Sequence, residues 1–370
     1  MSKPLHIISL DVPFPADYGG AVDIYHRIRA LSELGYDIHL HCYEYGRGKP
    51  EELTKLTKSV FYYKRKKTVL DWLNPLPFIV QTRKSQQLLN RLLLDEAPIL
   101  FEGLHTTYFL NHPKLAHRIK IVRTHNIEHD YYERLAQETT SWKKQFYLSE
   151  AKKLKKYERI LQHASHILAI KPTDSVYFSR YQSSCHVLPP CIEPVKKTAQ
   201  VSTESFALFH GNLSVSENER AVSWIVQQLV PHTSVKIVVA GKNPSTELKQ
   251  LLSAANVTLY ENPSQQKLTE VLSQARVHLM RTDQGTGVKL KLMHALLTSG
   301  HILANPLMLN GSFAEDLCVQ ATSNEEWLSA LSRLMNTQLS PGDFEKRQAW
   351  ISNHFNTTEN CRIFDQLLVG

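Results

Sequence analysis

Short apolar runs recur along the chain at spacings that suit buried β-strands, and between them lie segments whose apolar residues fall three and four positions apart. The first set of runs is His6–Leu10, Asp37–Tyr43, Val60–Lys64, Ile99–Glu102, Ile119–Thr124 and His166–Ile170. Between the first two, Gly20–Leu34 places Ile24, Ile28, Leu31 and Leu34 at helical spacing and stops at Gly35. Strand, helix and strand in that order predict a βαβ unit, and its repetition predicts a parallel sheet covered by helices. Tyr131–Gln162, rich in lysine and aromatic residues, predicts one long helix.

After Ile170 come Lys171-Pro172-Thr173-Asp174, Val187-Leu188-Pro189-Pro190 and a polar stretch from Val195 to Ser205 that reads as a linker. Alternation then restarts with Phe206–His210, Val235–Ala240, Val257–Tyr260, Val277–Met280, His301–Ala304 and Cys318–Gln320. The expectation is an α/β chain of two doubly wound, Rossmann-like domains, 1–190 and 206–354, joined by a linker at 191–205. A cleft is expected where the carboxyl ends of the two sets of strands face one another.

Composition narrows the class. At 370 residues the chain exceeds one hydrophobic core, and 42% hydrophobic residues argue against disorder. Met1–Leu10 lacks the long apolar region and cleavage site of a secretory signal, and no stretch approaches a transmembrane length. Five cysteines without a CxxC pair suit reduced thiols and a cytoplasmic location. The net charge of +8 is uneven: residues 1–200 hold 30 Lys/Arg against 20 Asp/Glu, whereas residues 201–370 hold 13 against 15. Such asymmetry points to an anionic partner. The stretch Trp142-Lys143-Lys144-Gln145-Phe146-Tyr147, the lysines 152, 153, 155 and 156, and the run Lys64-Arg65-Lys66-Lys67 predict either peripheral contact with an anionic membrane, on its inner face, or solvated basic surfaces. No nucleic-acid reading motif accompanies them, so nucleic acid is not an expected partner.

Three constellations could carry chemistry. Asp17-Tyr18-Gly19-Gly20 follows the first strand and opens a helix, where paired glycines let backbone approach a ligand and free N–H groups face a phosphate. Arg123-Thr124-His125-Asn126-Ile127-Glu128 follows an apolar strand and gathers polar groups at the rim where α/β sheets bind ligands; Glu102-Gly103-Leu104-His105 ends the neighbouring strand in the same way. Arg281 through Leu296 runs from a strand through Gly285-Thr286-Gly287 into a helix that begins with Lys289 and Lys291. Lysines there oppose the helix dipole, and an anion between them and the backbone would remove the conflict. The motifs match neither GxGxxG nor a P-loop.

The ordered set of motifs resembles the family 4 retaining glycosyltransferases of the GT-B fold. Its carriers are the early Gly-Gly loop, Thr124-His125-Asn126, Tyr157-Glu158-Arg159, Lys171-Pro172-Thr173-Asp174, Phe209-His210-Gly211-Asn212-Leu213, Val239-Ala240-Gly241 and the Gly-x-Gly-x-Lys-x-Lys helix entry. The resemblance implies a nucleotide-diphosphate sugar as co-substrate, held mainly by the second domain, a glycan, lipid-linked or small-molecule acceptor held mainly by the first, and neither metal nor cofactor. It further implies a tail helix, 355–370, returning to the first domain. On it, His125, Lys289 and Lys291 are the expected catalytic residues. Gly19, Gly20, Gly211, Asn212, Arg281, Gly285, Thr286, Gly287 and His294 are expected on the donor, and Asp17, Glu102, His105, Asn126 and Glu128 on the acceptor side. The sequence departs from the family where Asn212 and Glu217 replace an Arg and a Lys that clamp the diphosphate, and where His294 replaces a ribose-binding Glu. Those departures leave room for a non-catalytic sugar-nucleotide or glycan binder, and a sugar-nucleotide epimerase of the same fold is a further alternative.

Overall fold

The computed structural model describes residues 3–66, 71, 74–137, 139, 141–192, 206–283, 289–312 and 314–368. The chain divides into two compact units, one formed by Met1–Pro194 with Phe355–Gly370 and the other by Val195–His354.

The sheet of the first unit contains β1 (Lys3–Ser9), β2 (Tyr36–Glu44), β3 (Ser59–Lys64), β4 (Ile99–Glu102), β5 (Lys120–Arg123), β6 (His166–Ala169) and β7 (Cys185–Val187). All are parallel, in the order β3-β2-β1-β4-β5-β6-β7. Both faces are buried because neighbouring residues of one strand feed opposite cores. Ile7, Leu100, Ile121 and Leu168 pack with Ile24, Ile28 and Leu31 of the helix Gly19–Glu33, while Ile8, Phe101, Val122 and Ile167 pack with Leu88, Leu92 and Leu154 on the other side. The helix Gly19–Glu33 ends as its sequence predicts, with Gly35 at φ +83°.

Four elements differ from expectation. The segment 131–162 is not one helix: Glu128–Gln137 and Lys143–Tyr157 are separate, and a 3-10 turn, Glu158–His163, follows. β7 lies where the sequence predicts no strand, its three residues pairing only along β6. Cys191 and Ile192, expected in the linker, are 1% and 5% exposed in the core of the first unit, and residues 193–205 lie outside the described residues. The tail is two short helices, Thr357–Cys361 and Ile363–Leu367. Phe364 is fully buried beside Cys361, Asp365 accepts hydrogen bonds from Lys3 Nζ and Tyr36 Oη, both at 2.8 Å, and Cys361 Sγ lies 3.8 Å from Cys191 Sγ.

The second unit holds β8 (Ala207–Asn212), β9 (Ile237–Lys242), β10 (Thr258–Glu261), β11 (Val277–Met280), β12 (His301–Ala304) and β13 (Val319–Gln320), parallel and in the order β10-β9-β8-β11-β12-β13. Phe209 and Val239 enter the core built on Trp327, and Leu208 and Val238 enter the opposite one. Gly241 permits β8 and β9 to approach, since a Cβ there would collide with the carbonyl of Gly211. In each sheet the chain reverses its direction of growth beside the first strand, between β1 and β4 and between β8 and β11, which is where doubly wound sheets bind ligands.

Candidate functional site

Asp23 and Arg27 lie one turn apart on the helix Gly19–Glu33 and on its buried side. They meet the ends of β4 and β5, where register places Glu102 beside Arg123. Arg27 grips Glu102 with two bonds, Nε to Oε1 at 2.9 Å and Nη2 to Oε2 at 2.7 Å, while its Nη1 reaches both oxygens of Asp23 at 3.0 Å. Arg123 contacts Asp23 at 3.4 Å, and Asp23 also accepts from the backbone N of Cys191 at 2.7 Å. Burial works to raise the Asp23 pKa, but Arg123 and Arg27 outweigh it and hold the carboxyl well below the usual range. Two arginines and two carboxylates thus balance in a site that water does not reach.

His125, 8% exposed, is set by this cluster. Its Nε2 lies 3.1 Å from Glu102 Oε2 and its Nδ1 3.8 Å from Asp23 Oδ2. Glu102 is fully buried, and its oxygens are engaged by Arg27 and His125, so in this conformation it offers no surface to an acceptor. Gly103, at φ +74°, turns the chain after β4 and carries His105 beside the His125 ring: a Cβ on Gly103 would stand 3.0 Å from His105 Nδ1 and 3.5 Å from the His125 ring. His105 Nδ1 is buried without a hydrogen-bond partner, 3.9 Å from Glu128 Oε1. Burial, and then Arg83 and His125, hold the His105 pKa well below the ordinary imidazole value. Burial, reinforced by Glu158, pushes the Glu128 carboxyl up to about 8. Asn126 is half-buried in the same loop, and Asp17 is bound by Arg47 at 2.6 Å. Gly19 and Gly20 begin a helix with no acidic residue in its first turn and no side-chain cap.

The second unit brings the lysines to the end of β8. Lys289 Nζ donates to Glu217 Oε1 at 2.9 Å, and the Thr282 hydroxyl donates to the same oxygen. Lys291 Nζ donates to Asn218 Oδ1 at 2.7 Å and to the Arg281 carbonyl at 3.3 Å, and lies 4.8 Å from the centre of the Phe209 ring. Burial lowers the Lys291 pKa to about 8, with Glu217 opposing and Lys289 adding to the shift. Burial would raise Glu217, but Lys289 and the Thr282 hydroxyl reverse the sign. Arg281 lies over the Trp224 ring at 4.2 Å and pairs with Asp283 at 3.0 Å. Asn212 Oδ1 accepts from Ser214, and Gly211 packs against Asn218. His294 is exposed, its ring stacked on His210 at 6.2 Å between centroids; His210 is 3% exposed with neither ring nitrogen partnered. Gly285, Thr286 and Gly287 lie outside the described residues.

Sequence reasoning missed Asp23, Arg27 and Arg83. A signal existed for the first two, since both fall on the apolar stripe of Ile24, Ile28 and Leu31, where an unpaired charge would be costly. Arg83 gave none, because it stands beside Lys84 in a polar segment, Gln81–Gln87, outside the apolar runs and the glycine-marked turns. Among the described residues, no group of three or more His, Cys, Asp or Glu side chains could hold a metal ion, and no helix is long and apolar enough to cross a membrane.

No protein-family model matches the chain. A Klebsiella pneumoniae protein described as an uncharacterized 44.6 kDa protein in the cps region is 26% identical over 327 residues, covering 83% of this chain and 84% of that one. Among solved structures, a mutant of S. aureus TarM in complex with fondaparinux, alpha-GlcNAc-glycerol and UDP superposes with a TM-score of 0.71 at 10% identity, covering 100% of both chains. Anabaena HepE in complex with UDP and glucose gives 0.66 at 12% identity, and the E. coli trehalose-6-phosphate structure bound with UDP-2-fluoro glucose gives 0.66 at 13%, each over 99% of both chains. The fold is GT-B. Within this GT-B chain, His125 and its carboxylates mark the switch point of the first sheet, and Lys289 and Lys291 that of the second.

Proposed function

We propose that the protein is a retaining, metal-independent glycosyltransferase that moves a sugar from a nucleotide-diphosphate donor to a glycan, lipid-linked or small-molecule acceptor. The observation that carries this reading is the pair of lysines at the switch point of the second sheet, in a fold whose solved examples hold UDP. A departing diphosphate needs fixed positive charge, and a buried cation acts on it more strongly than one in water. Lys291, half-buried and partly withdrawn from water, is a cation of this kind. Lys289 is held by Glu217, so donor binding exchanges one anionic partner for another at that side chain.

In the first unit, the start of the helix Gly19–Glu33 offers uncapped N–H groups of the kind that suit a phosphate. His125 orients the sugar or the attacking hydroxyl, and Glu102 acts as a positioning residue through its bond to His125. Incubating the purified protein with a panel of nucleotide sugars, read by mass spectrometry, should release nucleoside diphosphate from one donor, and His125→Ala should abolish transfer with the fold intact. Release from no donor would refute the reading. The Glu217–Lys289 pair favours one alternative, a sugar-nucleotide binder without turnover. It predicts donor binding by calorimetry with no nucleoside diphosphate formed.

A further inference from the structure

A cavity of about 520 Å³ lies in the first unit at the carboxyl ends of β1 and β4, large enough for a sugar and a substituent. Its aromatic lining includes Tyr18, Tyr45, Phe78, Tyr132 and Phe146, and two guanidinium groups, those of Arg65 and Arg83, also line it. Arg83 is 4% exposed. Its Nε and Nη2 donate to the Leu10 carbonyl at 3.1 and 2.9 Å, and its Nη1 to that of Ile79 at 2.6 Å. Arg65 donates to the Thr82 hydroxyl at 2.7 Å and lies over the Tyr45 ring at 4.7 Å.

Carbonyls and a hydroxyl fix these side chains, and no carboxylate pairs with them directly; Asp11 and Glu128 act on Arg83 only at longer range. Among the described residues, neither guanidinium has a carboxylate oxygen within 4.0 Å. Asp11, the carboxylate of the lining, is bound elsewhere, accepting from Val12 N at 2.8 Å and from the Tyr18 hydroxyl at 3.3 Å. His105, also in the lining, contributes a buried Nδ1 without a partner. Burial, and then the positive charge of Arg65, draw the Arg83 pKa down to about 10, the direction expected of a cation short of counter-charge. A buried charge of this kind is costly until an anion joins it, and paired arginines match the oxygens of a phosphate.

Building on the transferase reading, we propose that this cavity is the acceptor subsite and that the acceptor it takes is a phosphate ester, its phosphate on Arg65 and Arg83 and its organic part against the tyrosine and phenylalanine rings. The ester could belong to a soluble sugar or to a lipid. Calorimetric titration of the intact protein with glucose 6-phosphate, citronellyl phosphate and neutral glucose tests the site and separates the two sources. At least one phosphate should bind about tenfold more tightly than glucose, and Arg65→Gln should remove about that factor. Arg83→Gln should do the same but also frees two backbone carbonyls, so Arg65→Gln is the deciding variant. Arg65→Lys, which keeps the charge without the fork, should fall between. Equal binding of all three compounds, or an affinity that Arg65→Gln leaves unchanged, overturns the proposal. The titrations contain no donor, so their failure leaves the donor-release experiment to stand alone, and failure of that experiment leaves the anion site intact.

Discussion

Replacing Glu128 by glutamine is expected to stabilise the first unit by an amount that grows with pH. Glu128 opens the helix Glu128–Gln137, is 4% exposed, and has His105, Glu158 and Arg83 as its charged or titratable neighbours. Its carboxyl is raised from an ordinary 4.5 to about 8, by burial first and by Glu158 second. Below the lower value both folded and unfolded chains hold the proton, and the side chain contributes nothing to the pH dependence. Between the two values the unfolded chain releases a proton that the folded chain retains, so stability falls as pH rises. At about 1.36 kcal/mol per pH unit, the loss is roughly 3 kcal/mol at about pH 7 and levels off above pH 8. Glutamine keeps the shape and has no proton to release, so the advantage of Glu128→Gln should climb from near zero in acid to roughly that value at neutrality. The two units need not unfold together. Hydrogen exchange of peptides from Glu128–Gln137, followed through a urea series at several pH values, therefore reports the relevant transition. A difference between variant and wild type that stays flat with pH, or a loss of stability at neutral pH, would refute the assignment.

Lys291, with its pKa near 8, should bind a nucleoside diphosphate at full strength below that pH. The ligand raises the pKa, so affinity should fall up to about tenfold per pH unit above 8, a decline that Lys291→Arg should flatten in calorimetric titrations. Glu217→Gln frees Lys289 from its 2.9 Å partner and should tighten nucleoside diphosphate binding several-fold; weaker binding would mean that Glu217 itself serves the ligand. Glu102→Ala leaves Arg27 half-paired in a dry site and should cost about 3–5 kcal/mol in denaturant unfolding, whereas a loss below about 1 kcal/mol would show that water reaches the cluster. Trp142 is 73% exposed beside exposed Lys143 and Lys144, which predicts binding to anionic vesicles that weakens with salt and with Trp142→Ala; no co-sedimentation at low salt would remove the membrane reading.

The strands were legible because nearly every one is an apolar run with turn residues beyond it, and parallel sheets buried on both faces require such runs. β7 was not, since Cys185-His186-Val187 is too short to show a period and Pro189-Pro190 follows it closely. The break between Glu128–Gln137 and Lys143–Tyr157 was hidden for the opposite reason: the amphipathic pattern resumes beyond it, and no Gly or Pro marks the gap. His125 could be located because it follows a buried strand, but its orientation depends on Glu102, Arg27 and Asp23, which come from two other elements. Arg65 illustrates the same limit. It reads as one of four basic residues facing water, yet it lies over Tyr45 and Phe78 in the cavity wall, so that run is not a uniform basic surface.

The return of residues 355–368 to the first unit gives the polypeptide an order of assembly. The second unit is a contiguous insertion, complete as soon as His354 has been made. The first is not, because Phe364 and Cys361 fill part of the core beside the helix Gly19–Glu33 and Asp365 ties Lys3 to Tyr36. A nascent chain growing at roughly 5–20 residues per second therefore carries an unfinished first unit for on the order of ten to thirty seconds while the insertion is translated. During that interval the apolar groove awaiting Phe364 is open to chaperones and to neighbouring chains, so substitutions such as Phe364→Ser should reduce the yield of soluble protein in cells more than they reduce the stability of the finished molecule.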